Sequence, residues 1–119
     1  MKERIQKNNL LMQLIADMKK LALEKEAPFW KRIAVELEKP TRHRRIVNIS
    51  RINQYSQPNE MIIVPGKVLS SGTMNHPVTV FAYSFSKEAE KKIGEKGKAF
   101  PIQELMKTNP KASNVRILG

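Results

Sequence analysis

The sequence predicts an α/β protein: one compact domain, residues 1–119, in which N-terminal helices are followed by short strands alternating with helices. Three observations predict it. Up to about residue 57 the apolar residues recur at helical spacing. Beyond it they come in strand-sized runs broken by proline and glycine. The length of 119 residues also suits one domain. Chains of this size bury roughly two thirds of their unfolded surface, enough for a core without disulfides.

Leu11, Leu14, Ile15, Met18, Leu21 and Ala22 fall at i, i+3, i+4, i+7, i+10 and i+11, and predict a first helix capped by Asn8 or Asn9. Pro28, whose ring fixes φ, opens a second helix. Trp30, Ile33, Ala34 and Leu37 form its apolar stripe, which makes Trp30 a buried anchor between the two helices. Pro40 stops that helix by Lys39, because the residue before a proline avoids helical geometry. Asn48 begins a short third helix that carries Ile49 and Ile52 inward. From Glu60 the pattern turns to β. Met61–Val64 reads as a strand ended by the turn residues Pro65-Gly66, and Lys67-Val68-Leu69 as a short return. Val78–Phe85 is apolar on both faces, as a strand covered on both sides must be. Ser86 caps a helix through Lys96, and Gly97 ends it. Ala99-Phe100 is a short strand. Ile102, Leu105 and Met106 mark a last helical turn or two before Asn109-Pro110, and Val115–Leu118 is a terminal strand.

Composition narrows function by exclusion. There are 22 Lys+Arg against 11 Asp+Glu, a formal charge of +11. The default partner of a small domain so charged is a polyanion. The hydrophobic content of 40% excludes a wholly disordered basic tail. No apolar run approaches the ~20 residues of a membrane span. Met1-Lys2-Glu3-Arg4 runs straight into mixed polar residues without a signal-peptide stretch, so the sequence predicts a cytoplasmic protein. With no cysteine and two histidines, His43 and His76, a metal centre is not expected. The one aspartate, Asp17, lies on the polar face of the first helix, and no motif places a histidine, serine and carboxylate together. The expectation is therefore no enzyme, no cofactor and no small-molecule substrate. The run Pro65-Gly66-Lys67-Val68-Leu69-Ser70-Ser71-Gly72 is not a phosphate loop, because Lys67 follows the first glycine and Gly72 leads to Thr73-Met74.

The sharpest feature is basic. Residues 39–47 read as a basic loop, and from Lys39 to Arg51 there are Lys39, Arg42, Arg44, Arg45 and Arg51, with no Asp or Glu between them. Arginine dominates, and its planar fork fits phosphate oxygens two at a time. His43 sits among these arginines, on the phosphate side or in solvent. Arg42–Arg45 repel one another, so phosphates are expected to fix the loop's geometry. Lys67 and the hydroxyl of Ser71 can reach a nucleic-acid backbone from their turn. Lys111 and Arg116 form a weaker cluster, as do Lys2, Arg4 and Lys7 in a basic N-terminal arm, residues 1–7. The Lys87–Lys98 run alternates with Glu88, Glu90 and Glu95 and reads as a salt-bridged helix face. No aromatic residue interleaves the Lys39–Arg51 run, so contact through phosphates, 2′-hydroxyls and shape is expected over base-by-base reading. The rival from the same elements is a winged helix, with the Asn48 helix in a DNA groove. Its recognition helix would be only about two turns long, and most arginines precede it.

Seven blocks then stand together in order: Ala27-Pro28-Phe29-Trp30, Leu37-Glu38-Lys39-Pro40, Val47-Asn48-Ile49-Ser50-Arg51-Ile52, Ile63-Val64-Pro65-Gly66-Lys67-Val68-Leu69, Val78-Thr79-Val80, Ala82-Tyr83-Ser84-Phe85-Ser86 and Asn109-Pro110-Lys111. In these the chain resembles the large-subunit ribosomal protein eighteen-e family of archaea and eukaryotes, from about Leu11 to Leu118. Its short length resembles the archaeal members. The resemblance implies an α/β fold related to the C-terminal domain of bacterial large-subunit protein fifteen. It also implies a non-catalytic role, binding and stabilising large-subunit ribosomal RNA beside neighbouring large-subunit proteins. The family often has glycine where Ser70, Ala112 and Asn114 stand. Asparagine tolerates a left-handed backbone; serine and alanine do so poorly.

Overall fold

The structure, a computed structural model, describes residues 9–39 and 45–118, and of Arg45 the backbone alone. The basic arm at residues 1–7 and the predicted contacts Arg42, His43 and Arg44 lie outside the described residues.

Helix α1 (Asn9–Glu24) buries Leu11, Leu14, Ile15 and Met18. Helix α2 (Pro28–Glu38) opens on Pro28 and buries Trp30, Ile33, Ala34 and Leu37, as their spacing predicts. The turn between them is a Schellman motif. Glu26 takes φ 50°, its N–H donates to Leu23 at 3.4 Å, and the Ala27 N–H donates to Ala22 at 3.0 Å. A glutamate thus stands where glycine is usual, which is why the sequence carries no helix-end signal there. Trp30 is fully buried, and its Nε1–H donates to the Pro110 carbonyl at 2.6 Å.

Five strands follow: β1 (Arg45–Asn48), β2 (Glu60–Leu69), β3 (Val78–Phe85), β4 (Lys98–Pro101) and β5 (Val115–Ile117). They form one sheet in the order β1-β2-β3-β4, with β5 also on β2. All the described pairings are parallel. Helices α3 (Ile49–Tyr55), α4 (Lys87–Gly94) and α5 (Ile102–Thr108) lie in the crossovers. Alternation along β2 and β3 divides the core. Ile63 and Phe81 pack with α1, α2 and α5. Ile62, Val64, Val80 and Ala82 pack with α3, α4 and Met74 of the 70–77 loop. This parallel sheet removes the winged-helix rival, because a wing is an antiparallel hairpin.

Pro65-Gly66 is not a turn, and Lys67-Val68-Leu69 is not a return: β2 runs through all of them. The reason is lateral. On one side of β2, β5 ends opposite Ile63 and β1 begins opposite Gly66. On the other, the β3 register shifts between Val64 and Lys67. Pro65 falls in both gaps, so its missing N–H removes no ladder bond.

The predicted basic loop 39–47 is also corrected at its end, where residues 45–47 belong to β1. Val47 is buried and Ile46 is 63% exposed, an alternation the flanking arginines conceal. Asn48 has cap geometry before α3 but makes no side-chain cap bond. Ser86 does cap α4, accepting from the Ala89 N–H at 3.2 Å, and that helix ends at Gly94, short of the predicted Lys96. No glycine is needed there for the helix end itself. Gly97 is needed for packing: a Cβ on it would stand 2.0 Å from the Val78 carbonyl oxygen.

Candidate nucleic-acid interface

From Lys39 to Ser86 the sequence holds one carboxylate, Glu60, and the fold neutralises it. Arg116 Nε lies 2.9 Å from Glu60 Oε2, while Glu60 Oε1 accepts the Gln57 N–H at 2.9 Å. The region built from β1, α3, the length of β2 and the 70–77 loop therefore carries no second carboxylate of its own, and Glu88 of α4 and Glu95 at its C-cap border the loop at Thr73 and Met74.

Because β1 and β5 lie end to end along β2, Arg45 stands opposite Gly66 and Arg116 opposite Ile62. That is four β2 residues, roughly 13 Å. Ile46 and Lys67 are register partners, both exposed, on the side of the sheet opposite buried Val47 and Val68. Arg51 is exposed on α3, and its guanidinium carbon stands 5.2 Å from the centroid of the Tyr55 ring. Arg116 reaches the same residue from the other direction, donating from an η nitrogen to the Tyr55 carbonyl at 2.6 Å. The C-terminal end of α3 is thus where two predicted arginines meet.

The remaining predicted residues are placed differently. Lys39 closes α2, with Nζ 3.2 Å from both carboxylate oxygens of Glu36. Ser71 is exposed on a loop held down by its own carbonyl, which accepts the Ser50 N–H at 3.0 Å. Lys92 Nζ holds the same loop through the carbonyls of Ser70 at 2.9 Å and Gly72 at 3.1 Å. Gly72 there has φ 107°, and a Cβ would meet Ser50 at 2.6 Å. Lys111 is exposed on a turn of the other face, next to the Pro110 carbonyl that Trp30 grips. Asn109 builds that turn, its Nδ2 donating to the Ser113 carbonyl at 2.9 Å. Ala112 and Asn114 there are left-handed at φ 56° and 62°, whereas Ser70 has no positive φ.

Two features were missed in the sequence. Tyr55 is an exposed aromatic one helical turn from Arg51; the i, i+4 spacing is the available signal, and it falls four residues beyond the end of the basic run. Lys96 and Lys98 flank a groove with Asn59 and Thr79. Their run does not form the expected salt-bridged face: no ion pair between described residues lies on α4. His76 serves structure. The Ser56 hydroxyl donates to the Ile52 carbonyl, so its oxygen accepts from His76 Nε2–H at 2.8 Å. No group of three potential metal ligands occurs among the described residues. No helix among them is long and apolar enough to cross a membrane.

A parallel α/β sheet with a carboxylate-poor, arginine-bearing edge defines a small basic α/β protein. Comparison with known proteins makes the class specific. The family described as "Ribosomal proteins 50S-L15, 50S-L18e, 60S-L27A" matches residues 46–99. The chain is 46% identical over 112 residues to large ribosomal subunit protein eL18 of Archaeoglobus fulgidus, covering 93% of this chain and 96% of that one. It is 47% identical over 112 residues to the eL18 of Methanoregula boonei, covering 93% of each. It is 42% identical over 111 residues to that of Haloarcula marismortui, covering 93% of this chain and 96% of that one. The chain belongs to the eL18 family of ribosomal proteins, and it is a structural protein, not an enzyme.

Proposed function

We propose that this chain is a constituent of the large ribosomal subunit in the cytoplasm, where it binds and stabilises folded ribosomal RNA beside neighbouring subunit proteins. The observation that carries the RNA reading is the single carboxylate between Lys39 and Ser86, itself paired with Arg116. Cations without counter-charge along one edge gain most from phosphate, because each neutralised phosphate releases condensed counterions. Arg42, His43, Arg44, Arg45, Arg51, Lys67 and Ser71 belong to this interface, and Lys111 extends it to the turn on the other face. Lys39 and Arg116 join it by exchanging a carboxylate partner for phosphate.

The test is RNA binding under salt titration. If about six phosphates are neutralised, affinity for ribosomal RNA falls on the order of a thousandfold between ~50 and ~200 mM salt. A salt-independent affinity removes the electrostatic reading, and preference for a short duplex DNA site removes the RNA assignment.

A further inference from the structure

We infer that the Tyr55 ring, backed by Arg51, is a stacking platform for one unpaired RNA base. This rests on the RNA reading above and gives it a second kind of contact. Tyr55 is the last residue of α3 and is 47% exposed. The Arg51 guanidinium stands over its ring, 5.2 Å from the centroid. That contact holds the ring by one face and adds positive charge behind it, which favours an electron-rich nucleobase on the ring's other face.

The platform is fixed before any ligand arrives. Arg116 grips the Tyr55 carbonyl at 2.6 Å and is itself held by Glu60 at 2.9 Å. The next residue, Ser56, is buried, bonded back to Ile52 and met by His76 at 2.8 Å. Asn53 Oδ1 accepts the Asn75 N–H at 2.8 Å, tying α3 to the 70–77 loop. A ring on a helix end pinned from three directions loses little freedom when a base lands on it. Beside it, Arg116 lines a groove with Asn59, Glu60 and Asn114. Asparagine amides can donate and accept at a base edge. The charge around the platform selects nucleic acid as the occupant: Arg51 and Arg116 both reach Tyr55, and Glu60 is already paired. Duplex RNA keeps its bases stacked internally, so the ring can take only a base from a loop, bulge or end.

The experiment compares Tyr55→Ala and Tyr55→Phe with the unaltered protein. Two RNAs of equal length are used, one a continuous duplex and one carrying an unpaired loop. Tyr55→Ala is expected to weaken loop-RNA binding about five- to a hundredfold, the range of one lost stack, with duplex binding and the salt slope unchanged. Tyr55→Phe retains the affinity, because the phenol oxygen is not needed for stacking. Thermal unfolding of both variants serves as the folding control and should barely move. Unchanged loop binding in Tyr55→Ala overturns the proposal. So does an equal loss on both RNAs, or a shallower salt slope, either of which would make the ring a mere prop for Arg51. If the unaltered protein binds neither RNA, the RNA reading itself fails and takes the platform with it.

Discussion

The face of the sheet under α1, α2 and α5 and the edge built from β1, α3 and β5 treat charge in opposite ways. On the first, lysines meet carboxylates on neighbouring turns or helices: Lys19 with Glu38 at 2.8 Å, Lys20 with Glu24 at 4.0 Å, and Lys39 with Glu36 at 3.2 Å. On the second, Glu60 stands alone in sequence and Arg116 covers it. The first region closes over Trp30, Ile33 and Leu37; the second leaves Ile46, Lys67, Arg51 and Tyr55 to solvent. The difference separates two properties that a single +11 charge blurs together. Both sides bury an apolar cluster, but on the first Lys19, Lys20 and Lys39 are matched by acids as well. The proposed binding capacity lies where the sequence supplies a single carboxylate and an arginine already covers it. Mutations can then move stability or binding without the other.

The largest effect tests the balanced side. Trp30→Ala should cost about 3–5 kcal/mol of folding free energy, since it empties a fully packed site. It also leaves the Pro110 carbonyl without its indole donor. Denaturant unfolding measures the loss, and RNA affinity of the folded fraction should keep its salt slope. Collapse of RNA affinity with unchanged stability would put Trp30 on the wrong side of the comparison.

Replacing Arg42, Arg44 and Arg45 together by Ala tests the other side. Folding should be nearly unchanged, while the slope of log affinity against log salt becomes shallower by about two to three units. Salt-titrated binding beside thermal unfolding decides it. A large stability loss with an unchanged slope would make these arginines structural.

The two regions were also unequally legible in the sequence. Helical stripes such as Leu11–Ala22 and Trp30–Leu37 repeat over several turns, so periodicity alone places them and their buried faces. Short elements lack that redundancy. Ile46-Val47 is two residues of alternation between arginines and asparagine, too little to outweigh the surrounding charge. Pro65-Gly66 is a strong local turn signal, yet the strand continues because two other strands end and begin beside it, which only the assembled sheet decides. Charges at the candidate site could be read one by one, but their pairings could not. Arg116 finds Glu60 and the Tyr55 carbonyl across the fold, and Lys92 finds two carbonyls in place of helix-face glutamates.

The smallest expected effect sharpens the comparison at a single backbone angle. Glu26 and Ala112 are left-handed at φ 50° and 56°, a conformation that costs an L-residue with a Cβ roughly 1–2 kcal/mol. Glycine avoids that strain and gives back roughly half of it through its more flexible unfolded chain. Glu26→Gly and Ala112→Gly should each therefore stabilise the fold by up to about 1 kcal/mol, read as a rise in melting temperature of a few degrees. Asn114, at φ 62°, is already a residue that tolerates this region, so Asn114→Gly should gain less. Both turns belong to the charge-balanced side: one joins α1 to α2, and the other packs Ala112 against their core. RNA affinity and its salt slope should stay fixed in Glu26→Gly and Ala112→Gly. If Ala112→Gly instead lowers the melting temperature, the methyl group's packing outweighs its backbone strain. If it moves the salt slope, the backbone at Ala112 also sets how the neighbouring Lys111 meets phosphate, and stability and binding are coupled at that turn.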